Sequence, residues 1–305
     1  MPWILDTDPG VDDAAAVIGA LRLPLDLLGI TVVHGNVPLE MTLTNTLRLK
    51  QLLGSDIPVY AGAAQALLQP PCHAPEIHGA DGLGDITWPP LTVAAEQQHA
   101  VAFIVEAAKT YAGSLNLLAV GPLTNIALAL AMEPSLVDAV ERVVIMGGTH
   151  SAHGNTSMVG EFNFYADPEA AAMVLRAGWH VEVVPWETTL ASLVPLDVLP
   201  EVGANPVSDT FRRLSAHLAR RMKRMRGVEG LLMCDFAALA VALDPSVGVD
   251  TVKLYGVVET AGQHGRGLLA LDYARRFGGA PNLTMYRTLE QESLQQLFRR
   301  AFADE

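Results

Sequence analysis

Asp6-Thr7-Asp8-Pro9-Gly10-Val11-Asp12-Asp13 follows directly on the apolar run Trp3-Ile4-Leu5 and precedes an apolar stretch, Ala14 to Leu21, with the character of a helix. The pattern is a strand, a turn and a helix start, with four carboxylates crowded into it. Like charges at that density repel unless a cation or a proton neutralises them, while the first turn of a helix favours Asp12 and Asp13 through its positive dipole end. One Asp suffices to cap a helix. The surplus points to a hard cation held by oxygen ligands.

Working outward, strand-like apolar runs alternate with helical patterns over the first two thirds of the chain, the signature of βαβ units and a mostly parallel sheet. Strands are expected at Leu27 to Val33, Ile57 to Ala61, Leu115 to Val120, Arg142 to Met146 and His180 to Val184. Helical spacing covers Pro38 to Leu53, Glu96 to Tyr111, the segment opened by Gly121-Pro122-Leu123-Thr124-Asn125, and the one begun by Asp167-Pro168-Glu169, with Asp as cap and Pro at the first position. Two polar loops interrupt the alternation, Gly62 to Pro90 and Thr149 to Tyr165. Loops of that length in compact domains usually serve as lids or binding loops. Beyond them the pattern predicts helices near Pro206 to Arg226 and over Cys234 to Leu243, strands near Thr251 to Val258 and Leu268 to Leu271, and a last helix from Leu289 to Phe302. No repeat, low-complexity tract or linker divides the chain, so one domain over residues 1–305 is the simplest account. The expected class is α/β, an open, mostly parallel, doubly wound sheet.

Half of the 305 residues are hydrophobic, yet no uninterrupted apolar run reaches membrane-spanning length. Met-Pro-Trp leads straight into the first strand, which leaves no basic leader, and the cytoplasm is the expected compartment. Cys72 and Cys234 are too few for a disulfide framework and are not spaced as a zinc site. A net charge of -13 disfavours a nucleic-acid polymer as partner. The basic run from Arg212 to Arg226 has the pattern of a helix with a solvated face.

Ligands of open parallel sheets bind beyond the carboxyl ends of the strands. Polar residues collect at those ends here: Asp8 after the first strand, Asn36 after the second, the Val120-Gly121 junction after the fourth and Met146-Gly147 after the fifth. Asn155, Glu161 and Asn163 in the second polar loop add two amides and a carboxylate, groups that suit hydroxyl recognition. Asp235 stands before an almost wholly apolar helix, either as its cap or as a further partner for the acidic turn.

Taken together, DTDPGVDDA (residues 6–14), HGN (34–36), HGADGLG (78–84), GPLTNIA (121–127), MGG (146–148), EFNFYADPEAA (161–171) and Asp235 resemble, in this order, the calcium-dependent nucleoside hydrolases of the inosine/uridine-preferring family. The resemblance implies hydrolysis of the N-glycosidic bond of ribonucleosides to ribose and free base. It also implies Ca2+ as cofactor, held by Asp8, Asp13, the backbone carbonyl of Val120 and Asp235. Asp8 would double as general base, and Asp12 and Asn36 would contact the ribose on one side. Asn155, Glu161 and Asn163 would contact it on the other, with Met146 beneath. A small nucleoside is then the substrate, and a homodimer or homotetramer is plausible from the apolar helices.

One position departs from the family pattern. Members commonly carry His just before the last metal-binding Asp, as general acid toward the base, and this chain has Cys234 there. The chain resembles a subgroup with Cys at that place. A thiol with an ordinary pKa of about 8.5 could donate a proton near neutrality but is a weak hydrogen-bond donor. His78, or a cation from the helix bearing Arg220, Arg221, Lys223 and Arg224, is an alternative donor. Two other readings compete. An Asp-x-Asp phosphatase would have Thr or Val where Gly10 stands and no role for Asp12-Asp13. A nucleoside-binding protein that lost turnover with the His would keep the same metal and ribose residues.

Overall fold

The computed structural model describes residues 1–227 and 230–303. Its first half runs β1 (Pro2–Thr7), α1 (Val11–Arg22), β2 (Asp26–Val32), α2 (Leu39–Leu52), β3 (Val59–Ala61), α3 (Pro75–His78), α4 (Ala100–Thr110), β4 (Leu115–Ala119), α5 (Thr124–Met132), α6 (Leu136–Ala139) and β5 (Val140–Met146). There follow α7 (Phe162–Ala166), α8 (Pro168–Arg176), β6 (Val181–Val184), α9 (Trp186–Ala191), β7 (Leu193–Val194), α10 (Pro206–Arg226), β8 (Leu231–Leu232) and α11 (Cys234–Leu243). The chain ends with β9 (Gly248–Leu254), β10 (Gly256–Val258), β11 (Leu269–Leu271), β12 (Leu283–Leu289) and α12 (Gln291–Phe302).

β1 is buried along its whole length, and its side chains alternate between two apolar cores: Trp3 and Leu5 on one side, Ile4 on the other. A strand apolar on both faces belongs in the middle of a sheet covered on both sides. The eight-stranded sheet has the order β3-β2-β1-β4-β5-β6-β12-β9, parallel throughout except that β9 runs antiparallel to β12. Successive strands run outward from β1 in one direction to β3 and in the other from β4, so the order reverses between β1 and β4. Such a reversal opens a crevice at the carboxyl ends of the two strands. Asp8 follows β1 and Val120 follows β4, which puts the acidic turn at the crevice.

α1 and α11 cross closely in the larger core. A Cβ on Gly19 of α1 would come within 2.6 Å of Leu239 and 2.7 Å of Phe236 on α11, so glycine sets the approach distance of the two helices. The crossing aligns their amino-terminal ends, and with them Asp12, Asp13 and Asp235.

The expected elements are present with shifted edges and several short additions, among them α6, α9, β7 and β8. The strand expected over Thr251 to Val258 is two, β9 in the main sheet and β10 in a separate hairpin with β11. Leu289, expected to open the last helix, is the final residue of β12, an unforeseen strand that joins β6 to β9. The helix waits for Glu290, whose side chain accepts from the amides of Glu292 and Ser293 and caps it. Similarly, α4 starts at Ala100 rather than Glu96, because His99 Nδ1 accepts from the Val101 amide. The two polar loops each contain a short helix at the site, α3 and α7.

Near the amino-terminal end of β5, remote from the crevice, Arg142 ties three elements together. Its guanidinium donates to both oxygens of Glu182 at 2.7 and 3.1 Å and to the carbonyls of Val241 and Ala242 at the end of α11. Tyr286 donates to the same Glu182 at 2.7 Å, and Trp3 lies 5.2 Å beneath the guanidinium. Removing one member leaves a half-buried charge unanswered. Arg142→Ala is expected to cost about 3 kcal/mol in denaturant unfolding, and Arg142→Ala with Glu182→Gln is expected to cost less than the sum of the two single changes.

Candidate active site

Each oxygen of the acidic turn has a defined environment. Asp6, at the end of β1, accepts from Thr31 Oγ1 at 2.6 Å and Asn125 Nδ2 at 2.8 Å, away from the crevice. Asp13 accepts from Thr7 Oγ1 at 2.5 Å, from the Gly10 amide at 2.9 Å and from Asn36 Nδ2 at 3.0 Å. Asp8 is fully buried: its Oδ2 accepts from the Asn36 backbone amide at 2.7 Å, whereas Oδ1 has no hydrogen-bond partner among the described residues. A Cβ on Gly35 would overlap the Asp8 carboxylate, and one on Gly121 would lie 2.5 Å from Oδ1, so glycine on both sides makes room for it. Asp12 Oδ1 is likewise buried without a hydrogen-bond partner among the described residues, and lies 3.7 Å from His78 Nδ1.

Burial and mutual repulsion push these carboxyls toward the protonated state. Burial raises Asp6 to about 7, and burial followed by the charge of Asp13 holds Asp8 well above its ordinary range. Asp12 and Asp13 are each raised to about 6, by burial first. Asp235 is raised strongly by burial and by the charges of Asp12, Asp13, Asp8 and Glu161.

Above the turn lies a cavity of about 300 Å³, near the lower end of the range for small-molecule sites. Asp12, Asp13 and Asp235 reach it from one end, with Asn36, Val120, Met146 and Asn163 around them. Asn36 spends its amide hydrogens on Asp13 and the Asp8 carbonyl, and Asn163 spends its own on the carbonyls of Val120 and Met146. Both asparagines therefore keep Oδ1 as an acceptor. Glu161 caps α7, taking the amides of Gly148, Asn163 and Phe164, and burial raises it to about 7. Asn155 sits at the exposed mouth.

The other walls come from distant parts of the chain. His78 ends α3, buried rather than facing solvent, and its Nδ1 accepts from the Val11 amide at 3.1 Å. A Cβ on Gly10 would lie 2.7 Å from that nitrogen. Burial lowers the ring to about 4, so it is neutral with the proton on Nε2. Cys234 is buried at the start of α11, and burial, then Asp12 and Asp235, push its thiol well above the ordinary value. The sulfur there is a thiol, not a thiolate.

Of the expected metal, substrate and catalytic residues, all but Asp8 line this cavity. Asp8 lies below the floor, while the carboxylates whose oxygens lie within 4.8 Å of one another are Asp12, Asp13 and Asp235. The basic helix α10 is not merely a solvated face: Leu218, Arg221 and Met222 line the cavity. Trp186 and Phe162 also line it and were not singled out by sequence. Phe162 stands inside the Glu161–Asn163 motif, and Trp186 comes two residues after the end of β6, a strand-end position like those of Asp8 and Asn36.

A hard divalent cation fits this donor set. All the close ligand atoms are carboxylate oxygens, the buried Asp8 Oδ1 and Asp12 Oδ1 have no hydrogen-bond partner among the described residues, and Val120 lines the same cavity. These carboxyls lie above their unfolded values near 4, so the folded chain binds more protons than the unfolded one from about pH 4 to about pH 7. Stability without a cation therefore falls as pH rises through that window. A bound cation favours the ionised forms, so the rise in Tm caused by calcium is expected to be larger at about pH 7.5 than at about pH 5. Equal shifts at the two pH values in thermal melts would remove this cluster as the cation site.

The family described as inosine-uridine preferring nucleoside hydrolase matches residues 3–296. RihB of Escherichia coli, named as a pyrimidine-specific ribonucleoside hydrolase, is 36% identical over 259 residues, covering 84% of this chain and 82% of that protein. The solved structure of a purine-preferring ribonucleoside hydrolase from Gardnerella vaginalis superposes with a TM-score of 0.91 at 29% identity, covering 99% and 98% of the two chains. An inosine-guanosine nucleoside hydrolase gives a TM-score of 0.91 at 30% identity with the same coverage.

Proposed function

Because this chain belongs to the inosine-uridine preferring nucleoside hydrolase family, we propose that it hydrolyses the N-glycosidic bond of ribonucleosides in the cavity above Asp12, Asp13 and Asp235. The observation that carries this reading is that trio of close carboxylates facing a cavity otherwise walled by amides, aromatic rings and apolar chains. Asp8, Asp13, Asp235 and the Val120 carbonyl would hold Ca2+, which when bound orients the ribose diol and makes a water more acidic.

The protein's own groups do the rest. Asp8, whose Oδ1 has no hydrogen-bond partner among the described residues, takes the proton of the attacking water. Asp12 and the free Oδ1 atoms of Asn36 and Asn163 accept hydrogen bonds from the ribose hydroxyls. Their negative charge and dipoles face the sugar where positive charge develops as the base departs. Met146 lies beneath the ring, and Glu161 and Asn155 bound its far side. His78, neutral and with Nδ1 committed to Val11, offers its Nε2 hydrogen toward the departing base. Cys234 keeps its proton and supplies only a weak hydrogen bond.

The named relatives divide between pyrimidine and purine substrates, so the test uses both. Release of reducing sugar from inosine, guanosine, uridine and cytidine is expected to require a divalent cation and to stop with chelator. Asp8→Asn is expected to lose about 10²-fold or more in kcat while still binding nucleoside. No turnover of any nucleoside, or wild-type rates in Asp8→Asn, would refute the corresponding part of the proposal. Cys234→Ala is expected to slow nucleosides with poor leaving bases most; equal rates across the panel would make Cys234 a packing residue.

A further inference from the structure

The loop between β5 and α7 brings Asn155 and Thr156 to the mouth of the cavity, yet much of it is exposed, Met158 by 71%. Between Gly154 and Gly160 it is held chiefly by its own hydrogen bonds: Gly154 to Met158, Thr156 and Ser157 to the Gly160 carbonyl, and the Gly160 amide to Ser157 Oγ. Its attachment to the body lies just before, at residues 150–151. Glu187 Oε2 accepts from the His150 amide at 2.9 Å. Glu187 Oε1 accepts from the Ser151 amide at 2.8 Å and from Ser151 Oγ at 2.7 Å. Tyr273, from the segment between β11 and β12, donates to the His150 carbonyl at 3.0 Å. The next residue, Ala152, turns through φ +61°, so the chain changes direction directly after the clamp.

Glu187 is well placed to transmit its position to the substrate. It is the second residue of α9, whose first residue, Trp186, lines the cavity and donates its amide to the Gly148 carbonyl at the stem of the same loop. Burial opposes charge on Glu187, yet the hydrogen bonds from His150 and Ser151 hold its carboxyl below its ordinary value. A carboxylate with three donors on it is a strong, directional anchor.

We propose that Glu187, aided by Tyr273, is a positioning residue that fixes the 150–160 loop so that Asn155 closes on the ribose of the bound nucleoside. This rests on the ribose-binding reading of the cavity. A contact made alike in the ground and transition states changes KM more than kcat. Glu187→Gln keeps the shape but gives up the charge.

The test is steady-state kinetics on inosine and uridine, with amide hydrogen exchange, for wild type, Glu187→Gln and Tyr273→Phe. In Glu187→Gln, KM is expected to rise about tenfold, the scale of a weakened charge-assisted contact, with kcat changed by less than about threefold. Exchange over residues 150–160 should speed up while that of α11 is unchanged. Tyr273→Phe, at a half-exposed position, should move the same quantities by less. An unchanged KM in Glu187→Gln, with or without faster loop exchange, overturns the proposal, as does a loss confined to kcat. If the wild type turns over no nucleoside, exchange with ribose and calcium still decides. Protection of residues 150–160 in the wild type that is lost in Glu187→Gln upholds the clamp, and its absence in the wild type overturns it.

Discussion

Carboxylates that repel one another must be buried together here, and much of the molecule answers that constraint. The backbone amides of Gly10 and Asn36, the hydroxyl of Thr7 and the side-chain amide of Asn36 meet the oxygens of Asp8 and Asp13. The amino-terminal ends of α1 and α11 supply favourable dipoles where Asp12, Asp13 and Asp235 stand. These donors offset only part of the cost, since the carboxyls stay shifted upward. What they leave over is an affinity for positive charge. The same shortage of partners that penalises the empty turn is what a cation, or a cationic transition state, would relieve.

The two ends of the cavity are built on different principles. The acidic end comes from the carboxyl ends of neighbouring strands, whose spacing the hydrogen-bonded sheet fixes. The opposite end comes from α3, α9 and α10, separated widely in the chain and brought together by packing against the larger core. A strand-end site is copied faithfully wherever the sheet is copied. A wall of helices can change its side chains with little effect on the sheet, which fits relatives of one fold that are named for different bases.

That contrast also explains what the sequence disclosed. β1, β2, β4, β5 and β6 are buried runs bounded by turn residues, and period and punctuation identify them. Asp8, Asn36, Val120 and Met146 follow from the rule that ligands meet strand ends. β12 escaped because Leu283 to Leu289 mixes polar Thr and Arg with apolar residues, and because Leu289 also suits the amphipathic pattern of the helix after it. Trp186 escaped for a different reason, and Arg221 was offered only as one of four basic residues on its helix. A tryptophan and an arginine carry no local sign of which way they face, and only the packing of α9 and α10 at the cavity decides it. The buried state of His78 was hidden in the same way, since its position depends on a Gly10 without a side chain, far away in the chain.

α11 adds a mechanical property to this arrangement. It is apolar and buried along almost all its length, locked against α1 at Gly19 and gripped at its far carbonyls by Arg142. Its ten residues make it about 15 Å long. One helix therefore joins two places that the chain keeps far apart: Asp235 beside the acidic turn, and the Val241 and Ala242 carbonyls held by Arg142 near the amino-terminal end of β5.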